Sequence, residues 1–139
     1  MSNNNVDNLS SRINGLYVIL DNQFLRGRSM VDLAYSIVVG GASVIQIRDK
    51  RGDKGDILDE VIRIREICES HGALLIVNDH VDLAVASEAH GVHLGQHDLP
   101  IDISRRMLLP GQLIGTSNAL LDEASESIRM GADYIAVGA

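Results

Sequence analysis

Two carboxylates, Asp79 and Asp98, stand just past apolar runs: the first closes "LLIVND" and the second follows "GVHLGQ". Carboxylate oxygens are hard ligands that suit Mg2+, an ion that takes one or two protein carboxylates together with phosphate oxygens and keeps some of its water. Arg48 and Lys50 occupy alternate positions at the end of another such run, Gln46 lies inside it, and Ser117 ends "LIGTS". Two cations, a hydroxyl near backbone N–H groups and a pair of metal-binding carboxylates suit a metal-bound diphosphate. Asn78, His93 and Gln96 add further polar groups at the ends of the same runs. Each residue also has a purely structural reading: Asp79 as the N-cap of "HVDLAVASE", Asp98 as the cap of the segment opening at Leu99-Pro100, Lys50-Arg51 as a solvated loop. Independent caps, however, have no reason to gather Gln, Arg, Lys, Asn and two Asp at one end of a sheet.

Such a gathering depends on the elements that carry these residues. "NGLYVIL", "GGASVIQIR", "HGALLIVND", "AHGVHLGQ", "GQLIGTS" and "GADYIAVGA" open on or near Gly, run through Val, Ile and Leu, and mostly end on a polar or small residue, which predicts six strands. Their apolar residues are consecutive rather than alternating, as expected of parallel strands buried on both faces. Helical spacing fills the gaps. Ser29 with Asp32 forms a capping-box pattern before "LAYSIVV"; "KGDILDEVIRIREICESHG" stops at Gly72; "LLDEASESIRMG" has acids early, Arg129 late and Gly131 at its stop. Short helices are expected after Asp79 and after Pro100. Strand and helix therefore alternate, predicting an α/β fold with a parallel sheet whose exits all lie on one side. Residues 1–14 read as a loose leader with room for a short helix, and 15–139 as one partial (β/α) barrel domain.

Composition narrows the partners. The formal charge is −7 and aromatic residues make up 3% of the chain, so there is neither a phosphate-seeking surface nor a stacking platform for nucleic acid. No apolar run reaches the length that spans a bilayer, and the start "MSNNNVDNLSS" lacks a hydrophobic segment, which predicts a cytoplasmic protein with no membrane partner. Cys68, the single cysteine, falls on the apolar face of its predicted helix and reads as core filling. His93 and His97 have a His-x3-His spacing that binds zinc from one helix face, but here it leaves a strand, so His93 is expected to face inward and His80 and His97 to be exposed. Arg63 and Arg65 read as a solvated helix face.

"QIRDK" (46–50), "IVNDHVDLAVASEAHGVHLGQHDLP" (76–100), "IGTS" (114–117) and "GADYIAVG" (131–138) together resemble thiamine phosphate synthase, over nearly the whole chain from Leu16 onward. The resemblance implies a (β/α)8 TIM barrel and a transferase of thiamine biosynthesis. Such an enzyme joins 4-amino-2-methyl-5-(diphosphooxymethyl)pyrimidine to thiazole phosphate and releases pyrophosphate, with Mg2+ as cofactor. It further implies that Gln46, Arg48, Lys50 and Asn78 hold the pyrimidine diphosphate, that Asp79 and Asp98 bind Mg2+, and that Ser117 contacts the pyrimidine or its diphosphate, with Arg48, Lys50 and Ser117 in catalytic roles. The implied chemistry ionises a C–O bond, the cations stabilising the departing pyrophosphate and the thiazole nitrogen capturing the methylene cation.

Two departures from the family pattern stand out. Asp49 replaces the usual Glu, a change expected to alter local hydrogen bonding little. The sequence also ends at Gly138-Ala139, where the family continues through a Pro-Thr-x-Thr-Lys-like loop into two further βα units. Six strands leave two open sheet edges, so the expectation is little or no synthase turnover from 139 residues alone, and homo-oligomer formation or self-association through those edges. Three rivals remain. A thiazole tautomerase would lack Gln96 and Asp98 and carry a histidine where Ala119 stands. A phosphoacceptor receiver module would use Asp79 but need a lysine after the fifth strand. A non-catalytic remnant would bind pyrimidine diphosphate without turning it over.

Overall fold

The computed structural model describes residues 8–51 and 53–138. Six strands, β1 (Tyr17–Asp21), β2 (Val44–Arg48), β3 (Leu74–Asn78), β4 (Gly91–Leu94), β5 (Leu113–Asn118) and β6 (Tyr134–Val137), pair in parallel in the order in which they occur in the chain. Helices α1 (Met30–Val39), α2 (Lys54–Ser70), α3 (Val81–Ala86), α4 (Ile101–Met107) and α5 (Leu121–Arg129) form the crossovers. The six expected strands and the α/β alternation are therefore present. Sequential strand order with every helix on one side curls the sheet into part of a barrel, since a right-handed crossover always returns to the same face.

The two sheet faces bury different sets. Ile45, Ile47, Leu75, Val77, Val92, Leu94 and Ile114 point outward into a core shared with Ala34, Val38, Ile57, Val61, Ile64 and Cys68 of the helices. Inward, Val44, Leu74, Ile76 and Leu113 form a second, smaller cluster. Full burial of an aliphatic side chain contributes about 1.5–3 kcal/mol, so the outer core dominates stability. Within the leader read over residues 1–14 a short 3-10 helix forms, Leu9–Arg12, and Leu9 and Ile13 pack against the inner cluster. Residues 1–7 of that leader lie outside the described residues.

Caps follow the sequence in part. The Ser29 hydroxyl accepts from the Asp32 N–H at 3.2 Å and Asp53 accepts from the Gly55 N–H at 3.2 Å, starting α1 and α2. Neither Asp79 nor Asp98 caps a helix: α3 begins after His80 and α4 after Pro100, without a side-chain cap in either case. Arg65, read as part of a solvated face, is half-buried and paired with Glu69 at 3.3 Å.

At the strand-entry end, the buried Gln112 amide donates to the Ala84 and Ala89 carbonyls at 2.8 and 2.7 Å and accepts from the Leu109 N–H at 2.8 Å. Gln112→Leu strands these backbone groups in the interior and is expected to cost about 2–4 kcal/mol, read as a shift in the urea midpoint. Cys68 is fully buried, and burial pushes its thiol up to about 12. The folded pKa lies above the unfolded one, so the stabilisation it brings is complete below about 9 and is lost as pH rises toward about 12. At pH 8 the thiol is expected to resist a disulfide reagent in the folded protein and to react on unfolding in urea; fast labelling of the native chain would contradict its placement.

Candidate active site

Inward-pointing residues near the strand exits surround a cavity of about 530 Å3 lined by Tyr17, Gln46, Arg48, Asn78, His93 and Ser117 among others. The parallel register sets this up. Asp21 pairs with Arg48, Asn78 with His93, and Ser117 with Ala136, so side chains distant in sequence form layers across the concave face. Asn78 also borders a second hollow, which contains Lys50 and Asp79, and Asp79 in turn borders a third, which contains Asp98. Eight of the nine groups singled out from sequence, Gln46, Arg48, Lys50, Asn78, Asp79, His93, Asp98 and Ser117, thus occupy one continuous rim and its interior.

Asp79 is held in a left-handed conformation, φ 63°, inside a tight turn in which the His80 N–H donates to the Asn78 carbonyl at 2.7 Å. Its own N–H donates to the His93 carbonyl at 2.9 Å, fixing the turn to β4. A non-glycine residue in this region stores strain, and such strain persists where it aims a side chain. Here it directs the carboxylate at Asp98. Burial raises the Asp79 pKa, and the hydrogen-bonding reach and negative charge of Asp98 raise it further, against the pull of His80 and Lys50. Asp98 is itself anchored, accepting from the Gly95 N–H at 2.6 Å. Two adjacent carboxylates repel each other, a cost that a divalent cation shared between them would remove, so the donor set fits Mg2+. His93 faces inward, as expected, and hydrogen-bonds through both ring nitrogens, to Tyr134 at 3.1 Å and Ser117 at 2.7 Å.

The cations are arranged in two ways. Arg48 is paired with Asp21, whose carboxyl burial would push up, yet the Gln23 N–H and Arg48 hold it below its usual value. Lys50 is exposed at the rim, its backbone N–H bonded to Asn22 at 3.2 Å. Arg51 lies exposed on the loop after β2, as its purely structural reading expects, and is tied to the buried Asp49, with Glu60 at 3.6 Å. Gln96 donates to the Ser117 carbonyl at 2.7 Å, latching the β4 exit to the β5 exit. His97 is exposed, as expected, whereas His80 is half-buried.

Sequence reasoning missed three residues. Tyr17 and Tyr134 were counted as part of apolar runs, but both point into the cavity, their hydroxyls 2.9 Å apart. Asp21 was passed over at the end of β1, although its place in that strand matches that of Arg48 in β2.

A profile described as thiamine monophosphate synthase matches residues 16–139. The chain belongs to that family. Its relatives include the thiamine-phosphate synthase of Methanoculleus marisnigri, 48% identical over 122 residues, a stretch covering 88% of this chain and 58% of that protein. The synthase of Shouchella clausii is 42% identical over 123 residues, covering 88% and 59% respectively. A solved thiamine phosphate pyrophosphorylase from Pyrococcus furiosus superposes with a TM-score of 0.85 at 34% identity, over 95% of this chain and 63% of its own. The chain thus spans about 58–59% of the length of the two relatives named first. Its membership of the thiamine monophosphate synthase family and its part-barrel agree with the resemblance in "NDHVDLA" and "GVHLGQHD". A receiver module is excluded by topology as well: the sheet runs β1 to β6 in sequence, without the strand-order reversal of a doubly wound domain. No described helix is long and apolar enough to cross a membrane.

Proposed function

We propose that this chain binds the pyrimidine diphosphate substrate of thiamine phosphate synthesis, with Mg2+ held by Asp79 and Asp98, and acts in the transfer that makes thiamine phosphate and releases pyrophosphate. The observation that carries this reading is the unbroken rim in which the two carboxylates adjoin Lys50, Asn78 and the interior cavity. Gln46, Arg48, Asn78 and Ser117 would orient the diphosphate and the ring through hydrogen bonds, while Lys50 and Arg48 supply positive charge where negative charge builds on the leaving group. The divalent ion would add counter-charge to the same diphosphate. A general base is not part of the scheme, because the step breaks a C–O bond without first removing a proton.

Calorimetric titration of the chain with the pyrimidine diphosphate tests this directly. Binding at least tenfold tighter with Mg2+ than without is expected; absence of binding, or indifference to the metal, would remove the proposal. A steady-state assay with thiazole phosphate added then separates turnover from binding alone. A cytoplasmic setting belongs to the same reading and is supported by the buried, unbridged Cys68. So does self-association through β1 and β6, each paired on one side among the described residues. Sedimentation that shows a monomer at all concentrations would rule that part out.

A further inference from the structure

Inside the cavity five side chains form one hydrogen-bonded row. Gln46 Nε2 lies 2.8 Å from the Tyr17 hydroxyl, which lies 2.9 Å from the Tyr134 hydroxyl. The Tyr134 hydroxyl is 3.1 Å from His93 Nδ1, and His93 Nε2 is 2.7 Å from Ser117 Oγ. The rings also pack on one another, with centroids 6.2 Å apart for Tyr17 and Tyr134 and 5.6 Å for His93 and Tyr134.

We propose that this row is a relay with a fixed sense, running from Gln46 to Ser117, that leaves the Ser117 hydroxyl hydrogen free to donate to an anion in the cavity. An amide nitrogen only donates, so Tyr17 oxygen accepts from Gln46. Tyr17 has one hydrogen, and Tyr134 is the hydroxyl's one hydrogen-bonding partner besides Gln46 among the described residues; donating there satisfies it, and Tyr134 in turn donates to His93 Nδ1. A neutral imidazole that accepts at Nδ1 carries its hydrogen on Nε2, which donates to Ser117 Oγ. Ser117, having accepted, is left with one hydrogen and an open side toward the cavity, for its side chain is the exposed end of the row. In the reverse sense Tyr17 would accept from both Gln46 and Tyr134, leaving its own hydrogen without an acceptor among the described residues, and the serine hydrogen would be consumed on His93. Ser117 would then offer an incoming anion only lone pairs. Burial keeps both tyrosine hydroxyls protonated by raising their pKa values. Tyr134 and His93 are thus positioning residues for the serine. The donor role rests on the diphosphate reading given above; the sense of the relay does not.

The test begins with 15N-labelled histidine in the full chain, the His93 signals being assigned by their loss in His93→Asn. Nitrogen shifts that place the hydrogen on Nε2 are expected, and Tyr134→Phe, which removes one hydroxyl and keeps the ring, should abolish that preference while the urea midpoint changes little. A hydrogen on Nδ1 of the parent chain, or a tautomer unchanged by Tyr134→Phe, would overturn the relay. Inorganic pyrophosphate with Mg2+ provides the second reading. Tyr134→Phe and Ser117→Ala should each weaken its binding about fivefold or more, and the double variant should be no worse than Ser117→Ala alone, because both changes remove the same donated hydrogen. Fully additive losses would overturn the coupling. If pyrophosphate does not bind the parent chain at all, the diphosphate reading fails while the tautomer still decides the relay.

Discussion

Asp79→Asn is expected to weaken Mg2+ binding by about 100-fold or more, roughly 2.7 kcal/mol, without unfolding the protein. Asparagine tolerates the left-handed conformation that Asp79 adopts, φ 63°, so the turn between Asn78 and His80 survives the change. What disappears is one of two negative charges on a hard-oxygen site, and an amide oxygen is a poor replacement for a carboxylate toward a divalent ion. Without metal the same variant should be more stable than the parent at pH 7, by up to about 1 kcal/mol for a partly solvated pair. The sign follows from the raised Asp79 pKa: the folded group holds its proton more tightly than the unfolded one. Its contribution to stability is therefore complete below the unfolded pKa and is lost as pH rises through the folded one. The advantage of the variant should shrink as pH falls through the acid range. Titration calorimetry with MgCl2, paired with urea unfolding at pH 4 and pH 7 in a chelator, reads both halves. Undiminished Mg2+ binding would show that Asp79 is not a ligand.

Gly91→Ala should produce the largest loss of stability of any single methyl addition to the sheet, about 3 kcal/mol or more. A Cβ at Gly91 would stand 2.5 Å from the Leu113 carbonyl oxygen and 2.8 Å from the Leu113 Cβ, with Ile76 Cδ1 at 3.1 Å. The first of these is backbone at the β4–β5 pairing, where Gly91 sits opposite Leu113, so relief requires the two strands to part. Gly115→Ala is a different case. Its methyl would lie 2.0 Å from the tip of the Tyr134 ring, a side chain that can swing aside, but only by giving up its hydrogen bonds to Tyr17 and His93. Gly115→Ala should therefore cost less stability than Gly91→Ala and disturb the His93 signals more. Gly55→Ala, in the first turn of α2 with its nearest neighbour atom at 3.4 Å, is the control and should stabilise by about 0.5–1 kcal/mol. Urea midpoints for the three variants rank them; a Gly91→Ala chain as stable as its parent would mean that the β4–β5 register is not the one described.

The six strands, their parallel sense and the order of the helices were readable from the chain because burial on both faces leaves unbroken apolar runs, and caps and stops such as Ser29 and Gly72 mark the helices between them. The convergence of Gln46, Arg48, Asn78, Asp79, Asp98 and Ser117 followed from that topology alone, since parallel strands send all their exits to one side. Three things were settled only in three dimensions. Whether Asp79 was a helix cap or faced Asp98 depended on a left-handed turn that no spacing announces. Tyr17 and Tyr134 looked apolar in their runs, because a two-sided buried strand hides which face each residue takes; stagger between strands then brought their hydroxyls together across 117 residues of sequence. Asp21 found Arg48 by the same register. Local patterns encode elements through short-range sterics and hydrophobic burial, whereas hydrogen-bond and charge partners are chosen by the curvature and stagger of the closed-in sheet, which exist only once every strand is in place.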